Sequence, residues 1–371
     1  MKVLFVAPKL KGGGAERQWS ILIPGLKRKG FDVRLLTLHD KGRLFDQVAG
    51  SGVEARSAAM SSRFDVRGLR RALGSRSWRP DLIVSFGVSS HVIAALIARK
   101  EGAAHLLAEH GSMGEPSPRL KLYRRLLIKL VARTGAGAVA VSEVQIPTIV
   151  KEGGFSRDSI RIVPNGVPEP HPKNSRQSVR RGLGIGDHDF VVLLAATLRP
   201  VKRVDVFVEA LLSAHEREPR IRGLVAGDGP EFARIEALAR APNEALQLLG
   251  HRADIDDLLG AADVVCLSSD AEIMPMVVLE AMAMGKPIIA TQISALPDLV
   301  AHGESGYLVP RGDASALADA LVDLGRTPER AERWGKVGRA RYLERFTAER
   351  MIDSYAGLLT DTAESRRAAP R

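Results

Sequence analysis

Two glutamates, Glu272 and Glu280, are separated by seven residues and stand on either side of a predicted helix start. Polar residues after Leu267 predict a loop, Pro275 suits the first helical turn, and Gly285 ends a short helix. Glu272 is therefore expected on the loop and Glu280 inside the helix. Such carboxylates can bind sugar hydroxyls while the free helix amides bind phosphate. Alternatively, Glu272 is only an acid at the helix start and Glu280 is a solvent-exposed one.

A second constellation is the triple glycine of Gly12, Gly13 and Gly14, which follows the first apolar run. Glycines there let the backbone approach a ligand, and the amides that open the next helix favour an anion. Many strand-to-helix turns contain glycine for conformational reasons alone. The glycines by themselves leave a phosphate site and a plain turn equally open.

The spacing of Glu272 and Glu280, in the setting of residues 275–283, resembles the signature of glycosyltransferase family 4. Members of that family are retaining sugar transferases with the GT-B fold. Further stretches resemble the family in the expected order between residue 1 and about residue 358; they are residues 13–17, 141–143, 163–167, 227–231, 249–252 and 296–300. The ordered set is much more specific than any one motif.

The resemblance implies roles for individual residues. Glu280 is expected to hold the nucleotide ribose, and Glu272 to lie beside the donor sugar. Lys202 is expected to hold the donor phosphates, which suits the chemistry because a departing nucleoside diphosphate needs cationic donors where charge develops. His110 is expected to face the donor sugar from the amino-terminal domain, the alternative being a structural histidine. We take His110, Glu272 and Lys202 as the candidate catalytic residues; no nucleophile or general base can be assigned.

The resemblance also implies a wider set of donor-binding residues: Gly13, Gly14, Arg199, Gly250, His251, Arg252, Ile273, Met274, Pro275 and Met276. Some positions depart from the family pattern. Thr197 stands where an arginine is usual, and Arg199 is a candidate replacement. Ile273 and Met274 replace the usual Gly-Phe pair, and Met276 replaces a small polar residue. These departures bear on the donor sugar more than on catalysis.

The elements that must position these residues are short apolar runs alternating with helical segments, a rhythm typical of parallel sheets covered on both faces. The predicted strands are residues 3–7, 33–36, 82–84, 138–141 and 160–163, then 190–196, 223–226, 246–249, 264–267, 288–290 and 307–309. We therefore predict an α/β protein with two Rossmann-like doubly wound domains facing a central cleft, the GT-B fold. The boundaries are 1–170 for an acceptor domain and 171–352 for a donor domain, with a carboxy-terminal helix, about 353–371, packing back on the first.

Composition limits the class of protein. With 371 residues, 45% of them apolar and 26% charged, the chain has ordinary globular composition for two domains. One cysteine excludes a disulfide framework and a cysteine-based zinc site. No apolar run approaches the roughly 20 residues that span a bilayer, so we expect a cytoplasmic protein. No metal is expected, and the acids at 187–189 and 254–256 are interpreted as solvated.

Charge is distributed unevenly, since residues 1–170 hold 28 lysines and arginines against 14 acids, whereas residues 171–371 hold 26 against 29. An arginine cluster (Arg63, Arg67, Arg70, Arg71, Arg76, Arg79) and a helix over 118–133 contribute to this excess. The helical wheel places Leu120, Tyr123, Leu126, Leu127, Leu130 and Val131 on one face and Lys121, Arg124, Arg125 and Lys129 opposite. Either the basic face contacts anionic lipid at the inner face of the cell membrane, or the helix packs on the core with a solvated basic face. Nucleic acid is not expected, because aromatic residues are only 5%.

The leading hypothesis is a retaining hexosyltransferase that acts in cell-surface polysaccharide synthesis, on a glycan or a lipid-linked glycan. Its donor is a nucleoside diphosphate sugar, a UDP-sugar first and GDP-mannose second. That donor is a co-substrate, and no cofactor is expected. Two alternatives stay open: a non-catalytic paralogue that binds nucleotide sugar, and a sugar-nucleotide epimerase or hydrolase of the same fold.

Overall fold

The computed structural model of the chain describes residues 1–61, 65, 68–69, 72, 78–109, 118–239 and 244–368. The chain divides into two compact units, Met1–Gly166 with Ala348–Arg371, and Val167–Thr347. The first unit thus ends at Gly166 rather than at residue 170, and the chain returns to it at Ala348 rather than at 353. None of the helices in the described ranges has the length and apolar character that a bilayer crossing requires.

The first unit is built on a parallel sheet whose strands are β1 (Lys2–Ala7), β2 (Asp32–Thr37), β3 (Glu54–Ser57), β4 (Leu82–Phe86), β5 (Ala104–Glu109), β6 (Gly137–Ala140) and β7 (Ile160–Ile162). Their spatial order is β3-β2-β1-β4-β5-β6-β7, and each neighbouring pair is parallel. The helices of this part are α1 (Gly14–Arg28), α2 (Arg43–Gly50), α3 (Val88–Glu101), α4 (Pro118–Ala132) and α5 (Ile146–Thr148). The order reverses between β1 and β4, which makes the sheet doubly wound.

The second unit repeats the design with the strands β8 (Phe190–Ala195), β9 (Ile221–Ala226), β10 (Leu246–Gly250), β11 (Val264–Leu267), β12 (Ile288–Thr291) and β13 (Gly306–Val309). Their order is β10-β9-β8-β11-β12-β13, again with parallel pairs. Its helices are α6 (Arg176–Gly182), α7 (Val204–Arg217), α8 (Phe232–Ala239), α9 (Ile255–Ala261), α10 (Met276–Ala283), α11 (Leu296–Leu299), α12 (Ala314–Arg326) and α13 (Pro328–Arg345).

The last helix, α14 (Ala348–Ala368), belongs to the first unit and packs against α1. Its buried side chains, Tyr355 among them, join those of β1, β4 and β5 in one core. Glycine at position 25 lets the two helices approach, because a Cβ there would lie 2.3 Å from Cδ1 of Ile352. Helices α3 and α4 cover the other face of the sheet.

All the predicted strands are present, with ends that differ by at most two residues. Two strands were not predicted. β3 is a polar edge strand with no buried residue, and so it lacks the apolar signal. β5 contains His105 and three alanine or glutamate positions, residue types that are not typical of strands.

Candidate functional site

The ion pair between Lys202 and Glu272 lies where two central strands of the second sheet end. Lys202 closes a 3₁₀ turn (Pro200–Lys202) after β8, and Glu272 lies in the loop after β11. The Lys202 ammonium contacts Oε1 of Glu272, and the Ser269 hydroxyl donates to the same oxygen at 2.9 Å. The strand order reverses between β8 and β11, and doubly wound sheets bind their ligands at such a point.

Backbone contacts fix the two loops that carry this pair. The Ser268 hydroxyl donates to the carbonyl of Lys202 at 3.0 Å, and the amide of Asp270 donates to the carbonyl of Val201 at 2.8 Å. The side chain of Lys202 is 25% exposed and that of Glu272 is 11% exposed. The contacts between the two loops therefore fix the position of the pair, while both side chains stay partly accessible to solvent.

Two glycines bring a third loop against the loop after β8. A Cβ at Gly227 would lie 1.8 Å from the carbonyl oxygen of Ala196, and one at Gly229 would lie 2.5 Å from that of Leu198. The amide of Leu198 donates to the carbonyl of Asp228 at 2.9 Å. Only glycine allows this approach, so the 227–231 motif shapes the loop that precedes Lys202.

Glu280 lies inside α10, whose N-cap is Pro275, as the sequence predicts. Its side chain is buried, with 5% exposed, so the alternative of a solvent-exposed acid is wrong. Met274 and Met276 are also buried, and Ile273 is partly exposed. Three positions that depart from the family pattern thus lie between the two glutamates in the sequence, and two of them are buried.

The predicted donor-binding residues Gly250, His251 and Arg252 lie at the end of β10 and directly after it. Gly250 has a φ of +62° and its carbonyl accepts a hydrogen bond from the amide of Gly227 at 2.7 Å. Arg252 donates to both carboxylate oxygens of Asp254, at 2.8 and 2.5 Å. This hydrogen-bonded pair raises the pKa of Arg252 and lowers that of Asp254. His251 is exposed.

Arg199 and Thr197 are both exposed on the loop after β8. The amide of Arg199 donates to the carbonyl of Thr197 at 2.8 Å, and the carbonyl of Arg199 accepts from the amide of Lys202 at 2.9 Å. Within the described ranges the Arg199 guanidinium has no ion-pair partner. It is therefore a cation on the Lys202 loop that is available to an anionic ligand.

In the first unit, Gly13 is the N-cap of α1, and Gly14 is its first residue. The carboxylate of Glu16 accepts hydrogen bonds from the amides of Gly12 at 2.5 Å and Gly13 at 2.9 Å. Part of the anion-binding capacity of this turn is thus used by the chain's own carboxylate. His110, the remaining predicted catalytic residue, lies outside the described residues.

A buried polar chain in the first unit was not predicted. The Ser85 hydroxyl lies 2.7 Å from Nδ1 of His91 and 2.8 Å from Nε2 of His105. Nε2 of His91 lies 3.4 Å from Oε1 of Glu109, the last residue of β5. Burial, with a smaller contribution from His91, lowers the pKa of His105 to about 3. These residues do not belong to one contiguous sequence motif. The signal that could have found them is that Ser85 and His105 are polar residues within apolar runs.

Helix α4 presents an apolar face to solvent, which the wheel did not predict. We call Leu122, Tyr123, Leu126 and Leu130 the α4 stripe; they are 58, 46, 55 and 55% exposed. Of the α4 side chains that the structure describes, residues 122–132, Ile128 and Val131 are buried, and Arg125 pairs with Glu152. The alternative in which this face packs on the core is wrong for Tyr123, Leu126 and Leu130, because the helix is rotated relative to that arrangement. Of the predicted arginine cluster, Arg63, Arg67, Arg70, Arg71 and Arg76 lie outside the described residues, while Arg79 is exposed.

The acids considered as metal ligands have other partners. Asp254 pairs with Arg252, and Asp189 accepts a hydrogen bond from the amide of Gly186 at 2.8 Å. No group of three histidine, cysteine or acidic side chains that could hold a metal occurs in the part of the chain that the structure describes. Cys266 is buried, which raises the pKa of its thiol.

Two family models match the chain. The model described as Glycosyl transferases group 1 matches residues 175–341, and the model described as Glycosyl transferase 4-like domain matches residues 13–166. The first match lies in the second unit and contains the Lys202–Glu272 pair and Glu280. The second lies in the first unit and contains the polar chain and α4.

Known proteins similar to this chain include two curated bacterial proteins. N-acetyl-alpha-D-glucosaminyl L-malate synthase of Bacillus anthracis is 30% identical over 191 residues, 51% of this chain and 50% of that protein. The putative glycosyltransferase EpsD of Bacillus subtilis (strain 168) is 29% identical over 285 residues, 73% of this chain and 74% of that protein. The chain thus matches between half and three quarters of these relatives' length.

Among solved structures, Anabaena HepE in complex with UDP-glucose superposes with a TM-score of 0.82 at 20% identity. The match covers 97% of this chain and 100% of that one. This likeness and the two doubly wound sheets confirm the predicted GT-B fold class.

Proposed function

This chain belongs to glycosyltransferase family 4, and from that premise we propose that it transfers a hexosyl group from a nucleoside diphosphate sugar to a glycan or lipid-linked glycan, with retention of anomeric configuration. Transfer to such an acceptor is a step in the synthesis of cell-surface polysaccharide. Donor phosphates bind at the Lys202 loop, the ribose at Glu280, and the sugar beside Glu272.

The observation that carries the proposal is the Lys202–Glu272 pair at the ends of β8 and β11, followed along the chain by the buried Glu280 in α10. A diphosphate at this loop offers the Lys202 ammonium a second anionic partner, in a charge-assisted contact. Glu272 then has acceptor capacity left for a sugar hydroxyl, and the Ser269 hydroxyl keeps the carboxylate oriented. When the phosphate leaves, the developing negative charge lies beside Lys202, which stabilises the transition state more than the ground state. Arg199, exposed on the same loop, supplies a second cation in place of the arginine missing at Thr197.

A UDP-sugar is the favoured donor, and GDP-mannose is the second choice. Support comes from the likeness to HepE, a protein solved with UDP-glucose. We place the base next to Gly250, at the end of β10, while Arg252 is already engaged by Asp254. The partly exposed Ile273 limits the room around the sugar and so bears on which hexose binds.

Product analysis tests this proposal. The pure chain is incubated with UDP-, GDP- and ADP-hexoses and lipid-linked glycan acceptors, and the anomeric configuration of the product is determined by NMR. We expect an α-linked product from an α-linked donor, unaffected by EDTA. Glu272→Ala is expected to abolish transfer, while Glu244→Ala, in the same unit and 89% exposed, retains it.

Other products would favour the alternatives. Free hexose as the main product would identify a hydrolase, and an inverted sugar still bound to nucleotide would identify an epimerase. Nucleotide-sugar binding without turnover by any acceptor would identify a non-catalytic paralogue. Each of these results contradicts the proposed transfer.

The α4 stripe supports contact with an anionic membrane at the inner face of the cell membrane. Exposed leucines at positions 122, 126 and 130 follow one side of the helix, and the exposed cations Lys129 and Arg133 flank them. An apolar stripe bordered by cations is typical of helices that lie in the headgroup region of anionic lipid. The excess of cations in residues 1–170 acts in the same direction. Such contact would bring a lipid-linked acceptor to the enzyme.

Flotation with vesicles tests this surface. We expect binding to vesicles that contain phosphatidylglycerol and little binding to pure phosphatidylcholine, and added salt should weaken it. The double substitution Leu126→Ser and Leu130→Ser should weaken binding at least about tenfold, since each leucine contributes roughly 1.5–3 kcal/mol when buried. Leu238→Ser, an exposed leucine of the second unit, is the matched control. Equal vesicle binding by the double variant and the Leu238→Ser control would contradict membrane contact through the α4 stripe.

A further inference from the structure

The polar chain of Ser85, His91, His105 and Glu109 is almost entirely enclosed and ends at a reachable carboxylate. Ser85 is 0% exposed, His91 1% and His105 6%, whereas the Glu109 side chain is 16% exposed. Buried polar groups in a core otherwise made of apolar side chains need partners, and these residues supply them to one another. The chain therefore leads from the interior of the first sheet to its carboxyl edge.

The hydrogen bonds of this polar chain can be donated in one direction only, from His105 towards Glu109. Nδ1 of His105 has no partner among the described residues, and a buried N–H without an acceptor is rarer than a buried acceptor without a donor. The His105 proton therefore belongs on Nε2, which donates to the Ser85 oxygen. The low pKa of His105 agrees with a neutral ring. The Ser85 proton is then free for His91, whose Nδ1 at 2.7 Å is closer than the carbonyl of Leu106 at 3.5 Å.

The direction fixes the tautomer of His91. With Nδ1 accepting from Ser85, the proton of a neutral His91 ring must be on Nε2, which faces the Glu109 carboxylate. An imidazole that is oriented by one hydrogen bond and donates its other N–H to a carboxylate is a common way to hold a functional group in place. Here the carboxylate is the outermost member, so it is the group that the chain positions.

The backbone of Glu109 is held independently. The side-chain amide of Gln145 donates to the carbonyl of Glu109 at 2.9 Å, and its oxygen accepts from the amide of Val141 at 2.8 Å. Gln145 thus joins the ends of β5 and β6. Among the described residues, the Nε2 of His91 lies within 4 Å of the Glu109 carboxylate and no lysine or arginine does. A carboxylate fixed at both main chain and side chain, without a lysine or arginine partner, has acceptor capacity to spare.

We propose that Glu109 accepts a hydrogen bond from a hydroxyl of the sugar acceptor, and that His105, Ser85 and His91 are the positioning residues that orient its carboxylate. The inference rests on the proposed transferase function, in which the first unit binds the acceptor. Ligands of doubly wound domains bind beyond the carboxyl ends of the strands, and Glu109 is the last residue of such a strand. It also directly precedes His110, the position that the family resemblance associates with the donor sugar.

Steady-state kinetics test the role of Glu109. Glu109→Gln should lower kcat/KM for the acceptor about tenfold to a hundredfold, since it replaces a charged acceptor by a neutral one. The KM for the donor should stay within twofold, because the residues proposed to hold the donor phosphates and ribose, Lys202 and Glu280, are in the second unit. Glu109→Asp withdraws the charge by one methylene and should lie between the two. Glu101→Gln, a partly buried glutamate at the other end of α3, is the matched control and should equal the wild type.

Nitrogen NMR of histidine-labelled protein tests the positioning residues without any turnover. We expect His91 to be neutral and protonated on Nε2 in the wild type, and to show a mixture of tautomers in Ser85→Ala. Wild-type acceptor kinetics in Glu109→Gln, or a His91 protonated on Nδ1, would overturn the inference. A wild-type chain that transfers no sugar to any acceptor would overturn the proposed function itself. That result is distinguishable because it precedes any substitution.

Discussion

The carboxyl edges of the two sheets are built by different means. In the second unit, the loops after β8, β9 and β11 contact one another. Glycines and backbone hydrogen bonds allow the close approach, and the Lys202–Glu272 ion pair joins the loops after β8 and β11. In the first unit, side chains from three separate segments, β4, α3 and β5, join in a buried chain that ends at Glu109. The first design fixes a site through the main chain and the second through side chains, so substitutions should affect them differently.

The largest effect is expected where main chains touch. Gly227→Ala places a Cβ 1.8 Å from the carbonyl oxygen of Ala196 at a φ of +152°. We expect the free energy of unfolding to fall by about 3–4 kcal/mol, as for other severe backbone conflicts. Gly303→Ala, with a φ of +79° and open space around it, should lose only about 1–2 kcal/mol. Urea denaturation measures both, and equal losses would show that contact between the loops does not shape this edge.

A somewhat smaller effect is expected from a single hydroxyl of the first unit. Ser85→Ala leaves two buried ring nitrogens without partners, so we expect a loss of about 2–3 kcal/mol in the free energy of unfolding. Ser90→Ala is the matched control, because Ser90 is equally buried and its hydroxyl has no partner among the described residues. It should change stability by less than about 0.5 kcal/mol. An unchanged free energy of unfolding in Ser85→Ala would mean that the polar chain does not stabilise the first unit.

The smallest effect is a pH dependence specific to the first unit. His105 has a pKa of about 3 in the folded chain and an ordinary value of 6.5. The unfolded state therefore binds a proton first as pH falls, and stability is lost between pH 6.5 and 3. Between pH 6.5 and 5 the loss should be about 1.5 kcal/mol.

Denaturation at several pH values measures this loss. His105→Gln should flatten the slope over that interval, whereas His188→Gln, at an exposed position of the second unit, should leave it unchanged. An unaltered slope in His105→Gln would place the acid sensitivity elsewhere.

The same contrast explains what the sequence could predict. Lys202, Glu272 and Glu280 belong to contiguous motifs at predicted strand ends, so their loop and helix positions followed from periodicity and turn residues. The contact of Lys202 with Glu272 did not, because 70 residues separate them and only the strand order brings them together. Glu109 was missed because β5 was missed, and its partners Ser85 and His91 stand on other elements. The exposure of Tyr123, Leu126 and Leu130 could not be predicted, because periodicity identifies a face of a helix without saying what covers it.

The most direct test of the central claim is calorimetric titration of UDP into the wild type, Lys202→Ala, Glu280→Gln and Glu109→Gln. We predict that UDP binds the wild type and that Lys202→Ala and Glu280→Gln each weaken binding about tenfold to a hundredfold, the range for losing a hydrogen bond to a charged group. Glu109→Gln should bind as the wild type does. Equal affinity in all four proteins, or a loss confined to Glu109→Gln, would contradict a donor site at the carboxyl edge of the second sheet.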